Sequence, residues 1–313
     1  MRSDLDDLRA LVADILSREP ESLWDTLGEL GLTTVGIPET RGGAGGGLAE
    51  LATVAAALAE HGVNVPLIDF NTGRWAAGDT VAGEVTVGRV RTADSPVLAA
   101  WARSATHLVL LVDGAERARL IDLGAPGVRV TDAGNPLDEH VDRVTVPDFA
   151  AAEPVSGPGA ECIRTRLGIL RSAALVGATR GAYRLTRKYL REREQFGKPL
   201  VRIPSAATAL AAMRVEVIQA ETALERALEA DTAGAAAVAR VVAGQAASAV
   251  ARSAHQLHGA MGITREYPLH RLTRLLWAWR DADAPEADWA ARLADRAIEG
   301  GEQFMWEDLT ATV

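Results

Sequence analysis

The 313 residues are 48% hydrophobic and 24% charged, with only 4% aromatics, so the chain has the balance of a soluble globular protein with a sizeable core. Its apolar share is mostly Ala, Leu and Val, which favours helices and excludes a mainly β fold. A net charge of -9 argues against nucleic acid as the main partner, and the single Cys162 excludes an internal disulfide.

The N-terminal segment MRSDLDDLRALVADIL carries acids where a secretion signal needs basic and then apolar residues. No uncharged apolar run approaches the roughly 20 residues of a membrane span, so no membrane association and a cytoplasmic location are expected. Leu5, Leu8, Leu11, Val12, Ile15 and Leu16 recur at helical spacing, and Trp24, Leu27 and Leu30 continue in a second helix ended by Gly31. The glycine-rich stretch Gly42–Gly47 lacks a preceding strand and a Lys-Ser/Thr ending, so it reads as a flexible helix–helix connection and not as a phosphate loop. A further helix is expected from Leu48 to about His61.

Between about 84 and 153 the pattern changes to short Val-, Leu- and Ile-rich runs: VTVGRV, HLVLLV, ARLIDL, VRVTD and DRVTVPDF. Gly and Asp punctuate them, as strands and turns require. With no helical crossovers between them, they predict a compact antiparallel sheet or small barrel of five or six strands. Long helices return at about 161–195, 205–231, 234–260, 267–281 and 285–305, which predicts a bundle. The expected organisation is an N-terminal helical domain (1–83), a reduced middle β domain (84–155) and a C-terminal helical bundle (156–313). The fold class is therefore mainly α with a small antiparallel β domain.

Several features have a structural reading. Cys162 beside Ile163 and Leu167 suggests inert helix packing. Gly177 and Gly181 permit close helix contact. His255, His258 and His270 lack the further ligands of a zinc site, so no metal is expected.

Two segments carry more chemistry. Arg191–Leu200 reads Arg-Glu-Arg-Glu-Gln-Phe-Gly-Lys-Pro-Leu, a charged helix end closed by Gly197 and stopped by Pro199, yet with Phe196 set among charges. About 60 residues later comes Gln256-Leu257-His258-Gly259-Ala260-Met261-Gly262, followed by Tyr267-Pro268. Together these resemble the acyl-CoA dehydrogenase family, which has an Arg-x-x-Phe-Gly stretch and then a Gln-x-x-Gly-Gly-x-Gly turn before a Tyr-Pro helix start. A fainter likeness lies in Ile37-Pro38-Glu39 and Gly42-Gly43.

The resemblance implies an acyl-CoA dehydrogenase-like fold and FAD as cofactor. It also implies α,β-dehydrogenation of an acyl-CoA thioester, with electron-transfer flavoprotein as acceptor. It assigns the flavin pyrophosphate to Arg193, the adenosine part to Phe196, and the dinucleotide of a neighbouring subunit to Gln256, Gly259 and Ala260, where Ala260 replaces the second glycine. A guanidinium on phosphate and an aromatic on a base fit those roles.

Around the reacting carbon the likeness weakens. The family's catalytic Glu lies in Tyr-Glu-Gly-Thr, about 16 residues after Tyr-Pro; here that count reaches Asp283, with no Gly-Thr after it and with Glu286 nearby. Asp283 is the positional candidate for the base, and an N-terminal helix cap before Pro285 is its structural alternative. The alternative family position, around Arg166-Leu167-Gly168, has no carboxylate; Pro204 replaces a usual Gln; and the Thr-Glu-Pro and Gly-Ser-Asp segments of the middle domain are missing. The chain therefore resembles the short subunits of actinobacterial steroid-degrading acyl-CoA dehydrogenases, in which two different subunits form a heterotetramer and share flavin sites. The implied partners are an acyl-CoA substrate and a second dehydrogenase-like subunit, or a homo-oligomer. A self-sufficient FAD enzyme with Asp283 or Glu286 as base, and a structural subunit that has lost flavin, are the alternatives.

Overall fold

A computed structural model of the chain describes residues 2–78, 81–92, 96–137 and 140–310, with the side chains of residues 2 and 303–310 excluded. The chain divides into two compact units, one of Met1–Ala57 with Asn64–Leu170 and one of Leu58–Val63 with Arg171–Val313.

The first unit opens with α1 (Arg2–Ser17), which buries Val12 and Ile15, and α2 (Leu23–Glu29), which buries Leu27. Ser22 caps α2 by accepting the Asp25 N–H at 3.4 Å, leaving fewer orphan donors at the helix start. The glycine-rich connection to α3 (Leu48–Glu60) is laced rather than loose. Gly36 N donates to Gly45 O at 2.8 Å and Gly45 N to Ile37 O at 3.0 Å. A Cβ on Gly43 would lie 2.1 Å from the Ile37 carbonyl oxygen, so the glycine serves close backbone approach, where flexibility had been expected. Helix α4 (Leu67–Ala77) leads into the sheet.

Six strands form one sheet: β1 (Val85–Val90), β2 (Val97–Ala100), β3 (His107–Val112), β4 (Arg119–Asp122), β5 (Arg129–Asp132) and β6 (Val141–Thr145). Their order is β4-β3-β1-β2-β6-β5. All pairings are antiparallel except β1 with β3, which run parallel in register from Val85 opposite His107 to Val90 opposite Val112. The sheet is thus mixed, because the chain leaves β1, makes β2 on one side of it and returns to its other side. Val90, Val97, Ala99, Leu108, Leu110, Ile121 and Val144 form the core of this region.

The second unit is helical. Helix α5 (Ala160–Glu192) contributes residues to both units; then come α6 (Pro204–Ala230), α7 (Ala233–His258), α8 (Leu269–Arg280) and α9 (Glu286–Thr310), the last interrupted at Gly301. Pro204 stands at the start of α6, where its missing N–H costs nothing. Gly181 lets α5 approach the Glu60 carbonyl, which a Cβ would reach at 2.2 Å. Cys162 is exposed on α5, not packed as its apolar neighbours suggested; Ile163 and Leu167 are buried. Helix α7 has the length and apolarity to cross a membrane, but 56% of that window is buried. Its alanines pack against α6, α8 and α9, as a core helix does.

Candidate functional site

Helix α5 ends at Glu192, and the chain then folds into a two-residue hairpin in which Glu194–Gln195 pairs with Lys198–Pro199. This replaces the helix end expected around Gly197. Phe196 (φ 54°) and Gly197 (φ 73°) occupy the turn, both left-handed as a type I′ hairpin demands. Glycine fits there; phenylalanine is strained. The ring is also 86% exposed, so neither backbone comfort nor core packing explains it. Arg193 is exposed beside it, its N–H donating to Tyr189 O at 2.8 Å.

The second motif forms the end of α7. Gly259 caps the helix at φ 57° and ψ −138°, a conformation that glycine alone adopts readily, and residues 259–263 continue as a short 3-10 turn. Aromatic packing behind the turn holds it. The His258 ring stacks on Tyr189 with centroids 4.4 Å apart and meets Tyr267 at 4.9 Å. His258 Nδ1 lies 2.8 Å from Ala254 O, and burial pushes the imidazole toward its neutral form. His255 Nε2 is 2.9 Å from the Thr273 hydroxyl, and His270 Nδ1 is 2.9 Å from Tyr267 O. Each of the three histidines therefore has a separate packing role. No group of three metal-ligating side chains occurs among the described residues.

In front of the turn the surface is open. Gln256, Gly259 and Ala260 are exposed, and nothing lies within 4 Å of where a Gly259 Cβ would be. Gln256 and Gly259 border a groove of about 530 Å³, shared with Ala251, Arg252, His255 and Trp277. A carboxamide with donor and acceptor, open glycine backbone and the Arg252 guanidinium suit a nucleotide diphosphate.

Asp283 sits in a different setting, the turn between α8 and α9. Its backbone is left-handed at φ 65°, and its carboxylate accepts from Arg171 Nε at 2.8 Å. Arg171 is buried and Asp283 is 20% exposed. Arg240, wholly buried in α7, donates to the carbonyls of Trp279, Arg280 and Ala282 at 3.0 to 3.1 Å, closing the end of α8. Burial lowers its pKa to about 10, with Asp283 opposing that effect and Arg171 adding to it, so Arg240 stays charged at neutral pH. Glu286, at the start of α9, accepts from Gln245 Nε2 at 3.0 Å. In the first unit Arg166 is buried, donating to Asn71 Oδ1 at 2.9 Å and lying 4.6 Å over Trp75. A cation thus stands at the position where some members of the resembled family carry their base.

The motifs did not point to Arg171, Arg240 or Trp277. The two arginines carried a signal, since each stands alone in an apolar helix stretch, GILRSAAL and AVARVVAG. Trp277 had none beyond lying off the buried stripe of Leu272, Leu275, Leu276 and Trp279.

The Acyl-CoA dehydrogenase N-terminal domain matches residues 6–77 and the Acyl-CoA dehydrogenase C-terminal domain residues 157–279, together more than half of the chain. Acyl-CoA dehydrogenase FadE28 of Mycobacterium tuberculosis is 28% identical over 315 residues, covering 85% of this chain and 92% of that protein. Acyl-CoA dehydrogenase IpdE2 of the same organism is 29% identical over 262 residues, covering 80% and 78%. Among solved structures, a variant of the Tcur3481–Tcur3483 steroid ACAD aligns with a TM-score of 0.85 at 23% identity, over 95% of this chain and 98% of that one. The ChsE4-ChsE5 complex from Mycobacterium tuberculosis aligns with a TM-score of 0.78 at 22% identity, over 94% and 97%. These two show the same fold. With both family domains matched in order and the two sequence motifs inside the second unit, the chain belongs to the acyl-CoA dehydrogenase family.

Proposed function

We propose that this chain is an FAD-associated subunit for α,β-dehydrogenation of an acyl-CoA thioester, sharing its flavin sites with a second dehydrogenase-like subunit. One observation carries the reading: the residues suited to grip a dinucleotide are exposed, whereas the carboxylate at the expected base position is held by a buried arginine. Arg193 would pair with the pyrophosphate and Phe196 would cover the adenosine part. Gln256, with the backbone at Gly259 and Ala260, would hold the dinucleotide of the neighbouring subunit. When bound, FAD supplies the hydride acceptor.

A general base must reach the acidic proton and exchange it, and an ion-paired, backbone-strained Asp283 is poorly disposed to do so. The partner would then supply the base, and electron-transfer flavoprotein would take the electrons. The steroid ACAD among the structural neighbours supports a ring-bearing acyl group as the first substrate to try. A self-sufficient enzyme with Asp283 as base is the second reading, favoured by the carboxylate's partial exposure.

The test is to purify the chain alone and together with a co-encoded dehydrogenase-like partner, recording flavin absorbance and its bleaching by acyl-CoA. Colour and bleaching only in the co-purified complex are expected. Yellow protein that bleaches alone would overturn the sharing.

A further inference from the structure

A second cleft, of about 410 Å³, opens at the end of the sheet in the first unit, lined by Trp101, Arg103, Ser104, Asp132, His140 and Asp142. Strand pairing brings these residues together. β2 ends at Ala100, opposite Val141 of β6, and Asp142 of β6 lies opposite Asp132 of β5. Like charges directly opposite in a ladder repel, so the pair of carboxylates needs a cation. Arg103 supplies it to one of them: its backbone N–H donates to Asp142 Oδ2 at 2.8 Å and its Nε to Oδ1. Asp142 is 1% exposed, so this ion pair is internal and closes the end of the sheet's core.

Asp132 is served less well. Its Oδ1 accepts the Gly134 N–H at 2.7 Å, but its Oδ2 lies 3.8 Å from Arg103, beyond hydrogen-bond range. The side chain is 55% exposed. With Arg103 committed to Asp142, the cleft keeps one carboxylate in excess.

The other wall is aromatic. The Trp101 and His140 rings stack with centroids 3.5 Å apart and planes at 12°. Trp101 has a left-handed backbone (φ 60°, ψ 21°), which a bulky residue adopts only under constraint. Its N–H, donating to His140 O at 2.7 Å, is part of that constraint. A surplus carboxylate and an aromatic pair lining one cavity suit a cation, through direct charge and through the ring quadrupole. An anion would meet the excess negative charge, and a neutral ligand would leave it unanswered.

We propose that this cleft binds a primary ammonium group, held by Asp132 and the Trp101–His140 wall. Its volume suits a small ligand. A free amine and the lysine side chain of a bound protein present the same chemistry to it. The site goes beyond the FAD reading and does not depend on it.

The experiment titrates n-butylammonium chloride into the full chain by calorimetry at about pH 8, above the ordinary imidazole range, with n-butanol as the neutral match. Saturable binding of the ammonium and none of the alcohol is expected. Asp132→Asn keeps an oxygen for the Gly134 N–H but loses the charge, and should weaken binding about tenfold or more, the size of one charge-assisted hydrogen bond. Trp101→Phe should weaken it less, because phenylalanine keeps a ring of lower cation–π attraction. The tryptophan fluorescence change on binding should vanish in that variant. Thermal unfolding checks both variants, and the exposed Asp132→Asn carries the test should Trp101→Phe fail to fold. Repeating the titration on the co-purified complex separates the sources. Uptake by chain and complex alike supports a free amine; uptake by the chain alone supports a lysine of the partner. No saturable binding to the chain, equal binding of butanol, or undiminished affinity in folded Asp132→Asn would overturn the proposal.

Discussion

Two turns end neighbouring helices of the second unit, and they do so by opposite means. Helix α7 ends at Gly259 in an open turn, with Gln256, Gly259 and Ala260 facing outward and the packing placed behind, in the Tyr189–His258–Tyr267 stack. Helix α8 ends in a saturated turn, where Arg240 takes three carbonyls and Arg171 takes the Asp283 carboxylate. A surface prepared for a ligand keeps its polar groups free and fixes them from behind; a strut uses them up internally. By that measure the α7 end resembles a binding surface and the α8 end a strut.

Arg240→Met should have the largest effect. It strips three carbonyls of their donor, and each buried polar group left unpaired costs roughly 1–3 kcal/mol. A loss of about 3 kcal/mol is expected in chemical denaturation. An unchanged midpoint would mean that the α8 end is not a strut.

Asp283→Asn is the sharpest divider between the two readings of that turn. A strut predicts a stability loss of about 2 kcal/mol, below the 3–5 typical of a broken buried pair because the carboxylate is partly exposed, with flavin retention unchanged. A base predicts the reverse, with acyl-CoA-dependent flavin bleaching falling about 10²- to 10⁴-fold at little cost in stability.

Phe196→Asn probes the hairpin as a functional compromise. Asn-Gly is the preferred pair for a type I′ turn, so the variant should gain about 1 kcal/mol in stability while retaining flavin less well. A gain with undiminished flavin retention would remove Phe196 from the cofactor's surroundings.

The smallest effect expected is on pH dependence. The folded-state pKa of His258 lies below its ordinary 6.5, mainly through burial, so the unfolded chain binds the proton more readily. Its contribution to stability is therefore complete above pH 6.5 and is lost as pH falls through the lower folded-state value. The facing titratable groups are Tyr189, Tyr267 and His255, with His255 shifted in the same direction. Unfolding curves from about pH 7.5 down to about pH 5 should show a slope that His258→Phe flattens. An identical slope in that variant would assign the dependence elsewhere.

The sequence alone determined what local chemistry controls. Helical periodicity located α5 to α9 to within a few residues, apart from the far end of α9; glycine and proline marked most of their ends, and the two motifs placed the chain in its family. Alternating Val, Leu and Ile runs marked five of the six strands but passed over β2, whose Val-Leu-Ala-Ala carries little β signal. The parallel pairing of β1 with β3 lay beyond local reading, because strand partners are chosen by distant contacts. Phe196-Gly197 read as a helix end because a glycine and a proline close a helix or bend a hairpin equally well; Leu200 N donating to Arg193 O at 2.9 Å accompanies the hairpin. What became of Asp283 was decided only in three dimensions. Its partner Arg171 lies 112 residues away in the chain, and an ion pair between a buried helix residue and a distant turn leaves no periodic trace in either segment.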